Sequence, residues 1–195
     1  TVIAPLMKSG RIDVLAFIGS SKVADILKHQ HPKPHRLRCV LGLEAKNAAI
    51  VLDDADVELA AKECALGSLS FNGQRCTALK IVFVHKSLLD KFVSRLSTEI
   101  DSLKFGMPWD GSPSLTPLPE PGKCEYLSGL VEDATKLGAE IVNPNGGATS
   151  GTYFHPALLC PVHPGSRIYR EEQFGPVAPI APFDALAQPL QYTIT

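Results

Sequence analysis

The chain has 195 residues, 45% of them hydrophobic, 20% charged and 7% aromatic, and its 19 basic side chains stand against 20 acidic ones for a formal net charge of -1. That balance excludes disordered and collagen-like classes and leaves one large domain or two small ones around a continuous core. No apolar run reaches the roughly 18 to 20 residues of a spanning helix, and the interspersed charge argues against nucleic acid or a membrane as partner.

In chain order, Val14-Leu15-Ala16-Phe17-Ile18 reads as a strand, Gly19-Ser20 as a turn and N-cap, and Val23, Ile26 and Leu27 carry helical spacing. His29-Gln30-His31 and His35 lie in a stretch rich in Lys, Arg and Pro. They lack carboxylate or Cys partners at regular spacing, so they read as a solvated basic loop and no metal site is assigned. Residues 40–43 and 48–52 are strand-like. Asp53-Asp54-Ala55-Asp56 then introduces a helix through about Leu69, with Val57, Ala60, Ala61 and Cys64 on one stripe and acidic residues at the positive end of the helix dipole. The glycine-interrupted turn Ser70-Phe71-Asn72-Gly73-Gln74-Arg75-Cys76 precedes a strand over 80–85, a place where functional groups are often mounted.

Leu89, Phe92, Val93, Leu96, Ile100 and Leu103 mark a long amphipathic helix that closes near Gly106 and Pro108. Residues 106–122 are proline-rich and read as an irregular connector. A helix resumes at Lys123, carries Leu127, Leu130, Val131, Ala134 and Leu137, and stops at Gly138. A strand over 139–142, a loop over 143–151, strand-like segments over 157–162 and 176–183, and a helical pattern from Asp184 complete the chain. Alternating strands and helices imply α/β architecture with largely parallel pairing. There is no internal repeat. The opening on Thr1, without an initiator Met, signal peptide or presequence, and the break within the last helical pattern read as a piece of a longer protein.

Cys39, Cys64, Cys76, Cys124 and Cys160 form an odd set without a C-x-x-C pair, which points to a reducing, cytoplasmic compartment. Free cysteine is usually a small buried hydrophobe. Cys39, Cys64, Cys124 and Cys160, beside apolar neighbours, fit that reading. Cys76 differs: Arg75 precedes it, Gly73 lets the backbone turn tightly, and Asn72, Gln74 and Thr77 surround it with hydrogen-bonding groups. A nearby guanidinium favours thiolate, the form that attacks a carbonyl carbon.

Phe71-Asn72-Gly73-Gln74-Arg75-Cys76-Thr77-Ala78 resembles the nucleophile motif of the aldehyde dehydrogenase superfamily, and the G-Q-R-C-T-A form is most similar to its non-phosphorylating, NADP-dependent glyceraldehyde-3-phosphate dehydrogenase branch. Three further landmarks follow the family's order. Phe17-Ile18-Gly19-Ser20 is similar to the F-T-G-S turn, residues 48–56 to the segment after E-L-G-G-K, and Glu171-Glu172-Gln173-Phe174-Gly175-Pro176 to E-E-x-F-G-P. The resemblance runs from about Arg11 to the end and covers about the middle two-fifths of such an enzyme.

The resemblance implies the end of a Rossmann-type dinucleotide-binding domain over residues 1–43 and most of an α/β catalytic domain over residues 44–195. It implies an oxidoreductase, homo-oligomeric in its complete form, that takes an aldehyde to the carboxylic acid with NAD or NADP. Cys76 would attack, its backbone N–H would be one oxyanion donor, and an Asn amide upstream would be the other. A thiohemiacetal and then a thioester would follow. Gly19, Ser20 and Val23 fall to the cofactor's diphosphate side, Leu43 to the nicotinamide neighbourhood, Glu172 to ribose hydroxyls and Phe174 to packing beside the nicotinamide. Gly19-Ser20 before a helix also suits an anion on physical grounds. Arg75 would hold a substrate phosphate, its planar fork suiting that anion; a structural ion pair is the alternative.

One departure concerns the base that activates water. The Glu of E-L-G-G-K falls on Gly42 in Gly42-Leu43-Glu44-Ala45-Lys46, and Glu44 lies two residues on. In extended chain that is a displacement of roughly 7 Å, so Glu44 serves as base only with a rearranged turn; otherwise it pairs with Lys46 or solvent. The isolated chain is expected to oxidise little aldehyde, lacking half the cofactor site and one oxyanion donor. Two other readings stay open. One is a cysteine hydrolase or acyl-transferase on Cys76, which needs His85 or His155 as base without a recognisable partner motif. The other is a non-catalytic module of the same fold.

Overall fold

A computed structural model describes residues 2–194. They form two compact units, divided between Ala45 and Lys46. In the first, α1 (Ile3–Lys8) precedes β1 (Val14–Ile18), α2 (Ser21–Gln30) and β2 (Arg38–Gly42). The strands pair in parallel, with Val14 opposite Arg38 and Ile18 opposite Gly42. Met7, Leu15 and Leu27 form the small core beneath them. The strand, turn, cap and helix expected here are present: the Ser20 hydroxyl accepts the Val23 N–H at 3.3 Å and starts α2. Two expectations are corrected. Cys39 is exposed, because β2 is open along most of its length. His31 is buried rather than solvated, and its Nδ1 accepts the Lys33 N–H at 3.1 Å.

The second unit runs through β3 (Ala48–Val51), α3 (Val57–Leu69), β4 (Ile81–His85), α4 (Leu89–Asp101), α5 (Lys123–Lys136), β5 (Glu140–Ile141), β6 (Thr149–Ser150), β7 (Tyr153–Phe154), β8 (Ala157–Cys160), α6 (Arg167–Arg170), β9 (Val177–Phe183) and α7 (Ala187–Ile194). Its main sheet has the order β3-β4-β9-β8-β5, parallel except for β5 against β8. Helices cover both faces, which is why β4 is an unbroken apolar run. Ile81 and Phe83 point to the side of α5, with Leu127 and Leu130, while Val82 and Val84 point to α3 and α4, with Ala61, Phe92 and Leu96. Each such full burial contributes about 1.5–3 kcal/mol. At the head of α3 the Asp56 carboxylate accepts the Glu58 and Leu59 N–H groups at 3.0 and 3.2 Å, a cap worth about 1 kcal/mol.

The proline-rich connector is irregular as expected, bridged to Phe105 at Leu115 and pinned by buried Leu115 and Leu118. The segment expected as a loop over 143–151 instead ends in β6, which forms a short hairpin with β7. No helix among the described residues is long and apolar enough to cross a membrane.

Candidate active site

After Leu69 the chain leaves α3 through a turn whose backbone is left-handed at three successive residues: Phe71 (φ 54°), Asn72 (φ 58°) and Gly73 (φ 66°). For a residue with a Cβ that conformation costs roughly 1–2 kcal/mol, so the surroundings must hold it. Asn72 is buried and locked to Thr116, its Nδ2 donating to the hydroxyl at 3.0 Å and its Oδ1 accepting the backbone N–H at 2.9 Å. Gly73 abuts other backbone, and a Cβ there would lie 2.6 Å from the Gly175 carbonyl oxygen and 2.7 Å from that of Ser68. The turn is therefore pressed directly onto the Glu171-to-Gly175 loop.

Cys76 is exposed just beyond this turn. Asn47, from the entry to β3, fixes its backbone by donating to the Cys76 and Ala78 carbonyls at 2.6 and 3.0 Å. No acceptor among the described residues takes the Cys76 N–H. Cys64 and Cys160 are buried, and desolvation pushes each thiol up to about 11. Arg75 lies over the Phe71 ring at 5.3 Å and donates to the Ser70 hydroxyl at 2.7 Å. Its Nε is buried without a hydrogen-bond partner, and it enters no ion pair among the described residues.

Across the turn lie Glu172 and Phe174. Glu172 pairs with Lys80, its Oε1 lying 3.3 Å from the ammonium. The Phe174 ring, on a residue with φ 42°, lies 4.8 Å from the Lys80 ammonium and 5.7 Å from that of Lys123. Lys80 is only 1% exposed and donates to the Gly73 carbonyl at 3.0 Å. Burial lowers its proton affinity, and Glu172 opposes that. Buried Gln173 ties the loop to β4 and β9, donating to the Lys80 and Val177 carbonyls at 3.0 and 2.8 Å, while its Oε1 accepts from Lys46 at 2.6 Å. Lys46 also donates to the Glu171 carbonyl at 2.9 Å, and burial together with Lys80 pushes it down to about 7. Asn47 and Lys80 escaped the sequence reading, which quoted Lys46 and Gln173 within motifs and gave neither a role in this network. Lys80 left one signal in the sequence, a cation heading an apolar run.

In the first unit, Gly19, Ser20 and Val23 build the start of α2. The Gly19 N–H donates to the Gly42 carbonyl at 3.0 Å, and a Cβ on Gly19 would meet the Phe17 ring at 2.6 Å. Glu44 lies on this helix end. The Ser21 N–H and hydroxyl donate to its carboxylate at 2.6 and 2.9 Å. Its own backbone N–H, then those two groups, hold its proton affinity below the ordinary carboxylate value. Leu43 beside it is half-buried. The structure thus gathers Cys76, Arg75, Glu172 and Phe174 in the second unit and Gly19, Ser20, Val23, Leu43 and Glu44 in the first. Both sets fit a dinucleotide chemically. The first turn of α2 already takes a carboxylate, as it would a phosphate oxygen, and the Glu172 carboxylate is an acceptor of the kind a ribose hydroxyl needs.

The aldehyde dehydrogenase family model matches residues 1–193. An NADP-dependent glyceraldehyde-3-phosphate dehydrogenase of Streptococcus equinus is 34% identical over 182 residues, 92% of this chain and 37% of the relative. A salicylaldehyde dehydrogenase of Pseudomonas putida is 35% identical over 173 residues, 88% of this chain and 35% of the relative. Among solved structures, NADP-dependent glyceraldehyde-3-phosphate dehydrogenase from Bacillus halodurans C-125, complexed with NADP, superposes with a TM-score of 0.85 at 34% identity, covering 93% of this chain and 37% of that one. Lactaldehyde dehydrogenase from Escherichia coli gives 0.89 at 31% identity, covering 98% and 40%. The chain therefore spans well under half the length of these relatives. With a family model spanning nearly the whole sequence and an α/β unit that superposes on solved members, the chain belongs to the aldehyde dehydrogenase family.

Proposed function

We propose that these residues form part of an oxidoreductase that converts an aldehyde to the carboxylic acid with NAD or NADP, through covalent catalysis by Cys76. The observation that carries this reading is an exposed thiol beyond a strained, tightly held turn, packed against the loop of Glu172 and Phe174.

An aldehyde carries no leaving group but hydride, which departs readily only when the carbonyl oxygen is negatively charged. Attack by the Cys76 sulfur creates that alkoxide. The untaken Cys76 N–H donates to it, a kind of contact whose loss typically costs about 10²- to 10³-fold in rate. When bound, NAD or NADP would supply the hydride acceptor; in the second unit Glu172 would take ribose hydroxyls and Phe174 the nicotinamide, and in the first unit Gly19, Ser20 and Val23 would take the diphosphate, with Leu43 a further candidate for the nicotinamide. Cys76 is then left as a thioester, which water hydrolyses. Gly42 has no carboxylate for that step, and Glu44 takes the proton only after releasing Ser21. Arg75, with a buried Nε unpaired, is the side chain for a phosphate on the aldehyde. That agrees with the glyceraldehyde-3-phosphate relatives.

Neither histidine that the hydrolase reading needs supports it. His85 closes the far end of β4, roughly 16 Å along the strand from Lys80, and its Nδ1 engages the Ser87 hydroxyl at 2.7 Å. His155 stacks on Phe105 at 4.7 Å. The test is a polypeptide of the relatives' length carrying these residues: it should reduce NADP in the presence of aldehyde and lose that activity with Cys76→Ala. Cofactor-free hydrolysis of an activated ester, without NADP reduction, would favour the hydrolase.

A further inference from the structure

We propose that Lys80 is a positioning residue for Cys76: a buried ammonium that fastens the nucleophile turn to the loop carrying Glu172 and Phe174. This rests on the reading of Cys76 as nucleophile.

A lysine is almost never fully buried unless paired, since desolvating its charge is costly. Lys80, 1% exposed, finds three contacts on two different loops: the Gly73 carbonyl at 3.0 Å, the Glu172 carboxylate at 3.3 Å and the Phe174 ring at 4.8 Å. Gly73 stands three residues before Cys76 in the turn. The root of the lysine is fixed by the same groups that fix the thiol. Its N–H donates to the Asn47 carbonyl at 2.8 Å, and the Asn47 amide in turn holds the Cys76 carbonyl at 2.6 Å. The ammonium and the Cys76 thiol also influence each other electrostatically, the sulfur's negative form favouring the charged lysine. A hydrophobic side chain of the same volume would satisfy packing at least as well as a buried ion pair. The charge is what an apolar replacement would not supply: it orients the Gly73 carbonyl, neutralises Glu172 and stands near the sulfur.

The test is the alkylation of Cys76 by iodoacetamide in the 195-residue chain, followed site by site by mass spectrometry, with exposed Cys39 as internal reference. Lys80→Met leaves the half-buried Glu172 unpaired and can destabilise the unit, so the decisive variant is Lys80→Met with Glu172→Gln, which removes both charges of the pair. At neutral pH that double variant should alkylate Cys76 several-fold more slowly than the unaltered chain, because the Gly73 carbonyl and the turn that presents the sulfur lose their ammonium anchor. Cys39 should be unchanged. Lys80→Arg should restore most of the rate, and Glu172→Gln alone should not slow it. An unchanged Cys76 rate in the double variant, or Lys80→Arg as slow as the double variant, would overturn the proposal. If Cys76 in the unaltered chain reacts no faster than buried Cys64, the nucleophile reading fails, and the role of Lys80 with it.

Discussion

Replacing Gly73 by Ala probes the junction on which the site depends. The new Cβ would lie 2.6 Å from the Gly175 carbonyl oxygen and 2.7 Å from that of Ser68, both backbone atoms that cannot swing aside. The residue would also keep φ at +66°. The conformational share costs about 1–2 kcal/mol, and forcing extra volume into a packed contact costs typically 1–3 kcal/mol, for a total of about 2–5 kcal/mol. Domains are stable by only about 5–15 kcal/mol, so this is a large loss. Gly151 is the control: its φ is +59°, yet a Cβ there meets nothing within 4 Å, so Gly151→Ala should lose only the conformational share. Urea denaturation followed by circular dichroism measures both. If Gly73→Ala costs no more than Gly151→Ala, the turn does not press on Gly175 and the geometry around Cys76 is wrong.

Asn72→Ala removes both hydrogen bonds to Thr116 from a buried left-handed residue and should destabilise by about 2–3 kcal/mol, also read by urea denaturation; a loss below about 1 kcal/mol would mean that the turn holds itself. Burial and then Lys80 push Lys46 down to about 7 in the folded chain, from an ordinary lysine value of 10.5. Between these values the unfolded chain binds more protons, so unfolding free energy should rise as pH climbs through that window. Lys46→Met should show a shallower rise than the unaltered chain, and parallel curves would remove Lys46 from the network. In a polypeptide of the relatives' length, Glu44→Gln should slow release of the acyl group from Cys76; unchanged release in rapid-quench kinetics would remove Glu44 as base.

The parts that the sequence made legible depend on local periodicity or a compact motif. β4 announced itself because both its faces are buried, α2 because Ser20 caps it, and the nucleophile turn because Asn72-Gly73 and Arg75-Cys76 are adjacent in the chain. What stayed hidden depends on distant partners. Gln173 reaches the Lys80 carbonyl across 93 positions and Lys46 reaches Gln173 across 127, so nothing local marks Lys80 as buried or Lys46 as bound. Glu44 looked like a displaced base or a partner for Lys46. In the fold β2 ends at Gly42, and the chain turns the carboxylate onto Ser21, 23 positions away. Cys39 misled in the opposite sense, since apolar neighbours along β2 do not guarantee a covering layer.

The most direct test is acid quenching during turnover, in a polypeptide of the relatives' length supplied with aldehyde and NADP, followed by peptide mass spectrometry. The expected result is an acyl group in thioester linkage on Cys76 alone, present only when both aldehyde and NADP are supplied and absent after Cys76→Ser. Continued aldehyde-dependent reduction of NADP with Cys76 unmodified, or with serine in its place, would contradict a covalent role for that sulfur.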